Sequence, residues 1–582
     1  MRIIDLVHHL LPAGTDAAYF LELPTKEVLN RPEGPRATFP SYALCPIWPP
    51  DLFAVTGTII DQSGCCTEAS TNRSDLTGHV EYLEDVLTIA YCWEKIDAPP
   101  PRQVQELWTK LVVEHGQVPI AKLAATSDAL KTVLQLFAIA DEASVGMGWG
   151  KDAVGDAFTE FAAVVVLNAT GTASDYELPY WPTSLCGMIS PDRVIVLPKS
   201  VTASVGCTIR SLSHHLALLP CRSVIDPIWR LVSRARTSTK IDPAAPYNLN
   251  LLIVPFPFSI PDGSFEVSTP KTELKNKTNV AAFFKLNQTW LGRGRARLTG
   301  KRLADELIVP LIQKAQAETG ARPDGVILPE CSLTPEILEG LVVALVSSGV
   351  QFVTAGLLER DKTTGRWLNK AKTFAILGPE GAVPLEQNKH HRWRLDKSQT
   401  ARYALDFDPD TANDKWWEDI DVAHRQLPFF ALRKDVSIVT LICEDLARTD
   451  PALNAIRAVG PNLVVALLMD GAQLTYRWPG RYATVLAEDP GSAVLTVTCA
   501  GMVDLSNRME SIPRRSIALW RDIDGGTEEI LLPGGHQGIL MTLASTKRHQ
   551  TTMDNRSDGE LSRKLTLTSH KPLSLAVPPS WL

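Results

Sequence analysis

One stretch constrains this chain more than any other. Val436-Ser437-Ile438-Val439-Thr440-Leu441-Ile442 is apolar and β-branched, and it stops abruptly at Cys443-Glu444-Asp445. A run of this kind reads as a buried strand, whose end can hold a side chain rigidly while letting it reach a pocket. A thiol held there can attack a carbonyl carbon, provided a neighbouring base takes its proton. Most buried cysteines are small core residues and nothing more. The reading therefore depends on whether the chain supplies a base and a cation in comparable places.

Two further segments do so. Gly325-Val326-Ile327-Leu328-Pro329-Glu330 is a short apolar strand that closes on a carboxylate, after a proline that cannot continue the ladder. Pro384-Leu385-Glu386-Gln387-Asn388-Lys389-His390-His391 is strand-like and ends in a lysine. The competing reading of Lys389 is a solvated basic loop, since Arg392 and Arg394 follow it. In chain order the strand ends offer Glu330, Lys389 and Cys443.

Leu328-Pro329-Glu330, Lys389-His390-His391 and Ile442-Cys443-Glu444-Asp445, in this order, resemble the segments of the nitrilase (carbon–nitrogen hydrolase) superfamily. The resemblance implies an α/β fold, a four-layer αββα sandwich, over residues 247–545. It also implies a hydrolase of non-peptide carbon–nitrogen bonds, in amides and also nitriles or carbamoyl groups. Glu330 would be the base and Cys443 the nucleophile that forms a thioester. Lys389 would stabilise the oxyanion with the backbone N–H of Glu444. Many members carry a second glutamate after the lysine, and the nearest here is Glu418 in Trp416-Trp417-Glu418; with Glu444 it is a supporting candidate. The chain departs from the family in having Ser437-Ile438 where many members place a glycine, and in the length of the segment from Asp396 to Leu432. No cofactor and no metal are implied. A small-molecule amide is the implied partner, and a homodimer or higher homo-oligomer the implied assembly, with the helix Pro335 to Val346 as a candidate surface.

Bulk properties allow this reading. At 582 residues the chain is too long for one core. Lys+Arg 58 against Asp+Glu 65 leaves a net charge of −7, which calls for no polyanionic partner. Apolar residues at 45% and charged residues at 21% describe an ordinary globular protein. The ten cysteines show no zinc-ligand spacing, which argues against a metal site and a disulfide framework. Asp5, His8 and His9 interrupt any secretory apolar segment near the N-terminus, and no apolar run approaches membrane-spanning length. A cytoplasmic setting, which suits a free thiol, is the expectation.

Along the chain, residues 1–240 read as a separate, mainly helical (α+β) N-terminal domain. Its helical stripes are Leu83/Val86/Leu87/Ala90, Val104/Leu107/Trp108/Leu111/Val112 and Leu130/Val133/Leu134/Phe137. Asp156 to Val166 reads as a further helix, Arg193 to Leu197 as a strand, and Ser211 to Leu219 as a short helix. Leu197 to Leu219 also resembles segments preceding nitrilase-type domains in bacterial reverse-transcriptase fusions linked to phage defence, without their Tyr-x-Asp-Asp signature. A boundary is expected at Arg234-Ala235-Arg236 and Asp242-Pro243-Ala244-Ala245-Pro246, after which strands and helices alternate. Pro310 should kink the helix Asp305 to Thr319 or mark its first turn. Residues 546–582 read as a polar tail, extended or partly disordered. A second class of function rests on Gly292-Arg293-Gly294-Arg295-Ala296-Arg297, a basic run that would bind phosphates if this were an interaction module without turnover. The acidic net charge makes a solvated loop the better reading.

Overall fold

The structure is a computed structural model. It describes residues 1–11, 45–69, 75–93, 100–149, 184–200, 202, 208–221, 225–231, 247–269, 281–292, 294, 297–377, 381–405, 407, 415–433, 436–559 and 562–582. The helix expected over Asp156–Val166, the expected boundary at 234–246, and Arg293, Arg295 and Ala296 of the basic run lie outside the described residues.

The N-terminal region contributes helices α1 (Ile3–Leu10), α2 (Pro49–Ser63), α3 (Leu76–Trp93), α4 (Arg102–Thr109) and α5 (Ser127–Glu142). Strands β1 (Val194–Pro198), β2 (Leu216–Pro220) and β3 (Asp226–Leu231) follow. Then come β4 (Tyr247–Ile253), β5 (Phe265–Val267), β6 (Ala282–Leu286), α6 (Gly300–Leu303), α7 (Val309–Thr319), β7 (Gly325–Leu333), α8 (Pro335–Leu345) and β8 (Phe352–Arg360). The next strands are β9 (Trp367–Ile376), β10 (Ala382–Asn388), β11 (Arg394–Asp396), β12 (Lys415–Glu418), β13 (Gln426–Arg433) and β14 (Val436–Ile442), with α9 (Lys397–Arg402) after β11. The chain continues through α10 (Ala452–Val459), β15 (Leu463–Leu468), α11 (Trp478–Glu488), β16 (Ala493–Thr498) and α12 (Ala500–Asn507). It closes with β17 (Ser516–Arg521), β18 (Thr527–Leu531), β19 (Gly538–Lys547) and β20 (Arg563–Leu573).

Two seven-stranded mixed sheets organise these elements, in the orders β10-β9-β8-β7-β4-β19-β20 and β18-β17-β16-β15-β14-β13-β3. Their relation follows from the period-2 alternation of side chains along each strand. Leu249, Leu251 and Ile253 of β4 share a core with the residues of β14, β15 and β16, as does Ile327 of β7. Leu252 of β4, with Val326 and Leu328 of β7, joins the buried faces of α6, α7 and α8 instead. The first sheet therefore lies between those helices and the second sheet, and α11 packs on β16 and β17 of the second. A four-stranded sheet, β11-β12-β6-β5, carries a separate aromatic core.

Several expectations are corrected. The N-terminal region is not a separate unit: β3 pairs in parallel with β13, from Asp226↔Gln426 to Leu231↔Ala431, as the edge of the second large sheet. Trp229 of β3 is fully buried and donates from Nε1 to the Gly148 carbonyl at 2.7 Å, so the strand is fixed from the helical side too. Phe53, Leu136 and Phe137 belong to the same core as Val464 and Leu495. The three helical stripes do lie on helices, with Val86, Trp108, Val133 and Phe137 buried.

Among the described residues of the C-terminal tail, β20 is an extended strand pairing along β19 from Gly538↔Leu573 to Lys547↔Arg563. Its polarity reflects an outer strand with one exposed face. Ser211 to Leu219 is a short turn followed by β2, because Leu216–Pro220 pairs antiparallel with Val194–Pro198. The carboxylate of Asp141 ends the turn by accepting from the N–H groups of His214 (2.6 Å), His215 (3.0 Å) and Leu216 (3.1 Å). The helix before Thr319 begins earlier than expected, at Gly300, and widens into a π-turn over Ala304–Ile308. Pro310 has no N–H to return to the preceding turn, and the wider turn accommodates it without breaking the helix.

Candidate active site

Lys389 and Cys443 follow strand ends as expected, whereas Glu330 does not close its strand, because β7 runs on past a bulge to Leu333. In β7 the register with β8 runs Leu328↔Ala355 and then Leu333↔Leu357, so residues 329–332 bulge opposite Gly356 alone. Pro329 starts the bulge and Cys331 takes φ +50°. The backbones approach so closely that a Cβ on Gly356 would lie 2.3 Å from the Glu330 Cα, which restricts position 356 to glycine. The bulge re-aims Glu330, and its carboxylate is buried at 2% exposure. Lys389 follows β10, held by its N–H to the Asn369 carbonyl at 2.8 Å. Its side chain is fully buried, which removes the solvated-loop reading. Cys443 opens a 3₁₀ turn (Cys443–Ala447) directly after β14 and takes φ +46°, a conformation that side-chain-bearing residues seldom adopt.

A closed polar ring joins Glu330, Lys389, Glu418 and Asn369. Lys389 Nζ donates to Glu330 Oε1 at 2.8 Å and to Glu418 Oε2 at 2.7 Å. Asn369 Nδ2 donates to Glu330 Oε1 and to Glu418 Oε1, both at 2.8 Å. The Trp393 N–H completes the seat of Glu418 with a 3.0 Å bond to Oε2. Glu418 comes from β12, so the long segment after Asp396 does supply a second carboxylate to Lys389.

Burial sets the protonation of the group. It pushes the Glu330 carboxyl up, Glu418 adds to this, and Lys389 and Asn369 oppose it. Burial alone would push the Lys389 ammonium down, but Glu330, Glu418 and Cys443 prevail and hold it well above its ordinary value. The Cys443 thiol lies well above the usual thiol range because of burial first and Glu330 second, with Lys389 opposing. The resting site thus holds a firmly charged lysine, a thiol that keeps its proton, and a carboxyl shifted toward neutrality.

The two residues after Cys443 diverge. The Glu444 carboxylate pairs with Arg448, and as an acceptor it leaves only its backbone N–H as a candidate for the oxyanion. Asp445 is buried and accepts from the His390 N–H (3.0 Å), the His391 N–H (2.9 Å) and His391 Nδ1 (3.1 Å). It thereby ties the turn after the thiol to the segment after the lysine. Glu330, Cys331 and Glu418 present ligand atoms within 4.8 Å of one another. Lys389 already bridges the two carboxylates, however, and its fixed charge opposes a second cation there.

Aromatic residues wall the ring on the side of the four-stranded sheet. Phe265, Phe284, Trp393, Tyr403 and Phe407 form one cluster with Cys331 and Cys499. At the end of β15, Asp470 accepts from Arg477 (2.9 Å) and Trp478 Nε1 (3.1 Å) and from the Tyr403 hydroxyl (2.5 Å).

Several solved structures match part of this chain at low identity. Saccharomyces cerevisiae Nit3, a member of branch 10 of the nitrilase superfamily, matches over 48% of this chain and 84% of its own, at 13% identity and a TM-score of 0.27. A CN-hydrolase superfamily protein from Xanthomonas campestris, solved with an arsenic adduct in its active site, matches over 44% of this chain and 76% of its own (14% identity, TM-score 0.25). The glutamine-dependent NAD+ synthetase of Acinetobacter baumannii matches over 56% of this chain and 48% of its own (12% identity, TM-score 0.31). No family model matches the sequence, and no curated protein matches it.

The sequence pointed to Glu330, Lys389 and Glu418, which the structure brings into direct contact. It did not single out Asn369 or give Asp445 its role. An asparagine inside the strand run Trp367-Leu368-Asn369-Lys370-Ala371, where a polar amide must find partners, was the available signal for the first.

Proposed function

We propose that this protein hydrolyses the carbon–nitrogen bond of a small amide, with Cys443 as nucleophile, Glu330 as general base and acid, and Lys389 as oxyanion stabiliser. The observation that carries this reading is the buried ion pair of Glu330 and Lys389, whose charges both act on a cysteine held at positive φ after a buried strand. Their electrostatics suit this chemistry, because a carboxyl shifted toward neutrality can take a proton and return it near neutral pH.

In the first half-reaction Glu330 takes the thiol proton as Sγ bonds to the amide carbon. The oxyanion so formed is met by the Lys389 ammonium and the N–H of Glu444, the residue after the nucleophile. Glu330 then delivers the proton to the nitrogen, the C–N bond breaks, and ammonia or an amine leaves a thioester. In the second half-reaction water attacks that carbon and gives its proton to Glu330. The C–S bond breaks, the proton passes back to sulfur, and the carboxylic acid departs. Glu418 keeps Lys389 charged and oriented throughout. Nitriles and carbamoyl compounds fall within the same chemistry.

The stacking of helices, sheet, sheet and helices is read as an αββα sandwich, and a homodimer through the helical face of α8 is the proposed assembly. Among the described residues no helix is long and apolar enough to cross a membrane. A cytoplasmic setting remains our proposal. Ammonia release from a panel of small amides tests the activity, with Cys443→Ala as the control. Release that persists undiminished in that variant overturns the assignment.

A further inference from the structure

Glu330 has two carboxylate oxygens, and the ring treats them differently. Oε1 accepts from Lys389 Nζ and from Asn369 Nδ2, both at 2.8 Å. Oε2 is buried with no hydrogen-bond partner among the described residues. An unsatisfied buried carboxylate oxygen costs free energy and is retained only where something makes use of it. The Asn369 amide can face the ring in one sense only, because both neighbours are acceptors and only its NH2 can donate to them. That orientation leaves Asn369 Oδ1 as a second buried acceptor without a partner among the described residues. One neutral NH2 thus spans two carboxylates that would otherwise repel each other, and it adds no charge to the site.

From this asymmetry we infer that Asn369 is a positioning residue that engages Glu330 through Oε1 so that Oε2 alone acts as the proton-accepting atom toward Cys443. Lys389 by itself does not fix this choice, since an ammonium on a flexible stem can pair with either oxygen. Asn369 stands on β9, the strand next to the β10 edge of the first sheet, and is fully buried. Its second bond, to Glu418 Oε1, sets the spacing of the carboxylates, while Lys389 closes the ring from the opposite side. The unpaired Oδ1 and Oε2 are acceptors in a site that receives donors only in turnover: the thiol, the amide nitrogen or the attacking water.

The inference rests on the proposed hydrolytic reading for its function but not for its test. Infrared difference titration of the purified protein follows a buried carboxyl directly, and the band lost in Glu330→Gln identifies Glu330. In Asn369→Ala the lost donor favours the protonated form, so the Glu330 titration should move to higher pH by about one pH unit. Asn369→Ser keeps one donor and should return part of that shift. On any amide that the protein hydrolyses, Asn369→Ala should lower kcat roughly tenfold to a hundredfold with KM within about twofold. Asn369→Asp is isosteric and serves where the alanine variant does not fold; it too should raise the titration. Folded Asn369 variants with an unmoved Glu330 titration overturn the inference. A moved titration combined with amide hydrolysis that survives Glu330→Gln overturns the base assignment and leaves Asn369 as the residue that orients Glu330.

Discussion

The carboxylate of Asp445 accepts the backbone N–H of His391 at 2.9 Å, which fastens the turn carrying Cys443 to the segment carrying Lys389. The two residues are 54 positions apart and follow strands of different sheets, so no local structure would keep them together. Asp445→Ala leaves the His390 and His391 N–H groups without their acceptor. Each such buried donor costs about 1–3 kcal/mol. The variant should therefore unfold at lower denaturant and, with Lys389 displaced from the nucleophile, lose turnover at least tenfold, as an order of magnitude for misplacement. Asp445→Asn keeps one acceptor oxygen and should fall between. Equilibrium unfolding beside amide kinetics checks both, and an alanine variant as stable and active as the parent would refute the role.

Glu418 and Glu330 share Lys389, and their mutual repulsion is one of the forces holding the Glu330 carboxyl up. Replacing Glu418 by Gln removes that charge while keeping an acceptor for Asn369. Glu330 should then release its proton at lower pH, so the acid limb of kcat/KM shifts down. The direction is opposite to the one expected for Asn369→Ala. A pH–rate profile for the pair of variants decides it, and shifts of the same sign would contradict the electrostatic account.

The thiol of Cys443 is pushed well above the usual range by burial and by Glu330. Thiolate absorbance attributable to Cys443, taken as parent minus Cys443→Ala, should be absent at neutral pH. A large neutral-pH thiolate signal would mean that the nucleophile is a standing ion pair with Lys389, and that Glu330 is not needed for its activation.

The residues that end apolar runs were the legible part of this protein. Apolar runs that stop at a charged or nucleophilic side chain carry a local signal, so Glu330, Lys389 and Cys443 could be read in order. The bulge that aims Glu330 was not legible, since it depends on Gly356 in a neighbouring strand letting the backbone approach. Asn369 and Asp445 act across strands and sheets, and nothing in their own neighbourhoods marks the distant donors and acceptors they serve. The expected independence of residues 1–240 failed for a related reason. The edge strand β3 is only six residues long, and its pairing partner is β13, two hundred positions on. Thiol access is also less open than a pocket at a strand end suggested, with Cys443 only 2% exposed.

Arg556 shows how far the tail is integrated. Its guanidinium is fully buried and meets Asp141 at 3.0 Å, Glu142 at 2.6 Å and Asp554 at 3.0 Å, and it also donates to the Leu212 carbonyl. One residue of the C-terminal segment is thus the common counter-ion of an N-terminal helix end. Removing one partner of a buried charge cluster leaves the others uncompensated, so Arg556→Ala should cost about 3–5 kcal/mol of stability. Burial would push Glu142 up, but Arg556 and His215 prevail and hold its carboxyl at about 2, against an ordinary value of 4.5. The unfolded chain then binds a proton that the folded chain refuses, so this contribution is present above pH 4.5 and is lost as pH falls toward 2. His214 is held neutral by burial and by Arg556, its value lowered from 6.5 to about 4, so stability also falls as pH drops through that interval. Both effects have the same sign and both involve Arg556. In Arg556→Ala, Glu142 should rise and His214 should rise, which weakens both penalties. The variant should therefore be much less stable than the parent at neutral pH and lose proportionately less on acidification. Denaturant midpoints measured from neutral pH down to mild acid test this, and a variant whose acid dependence parallels that of the parent would show that other groups govern it.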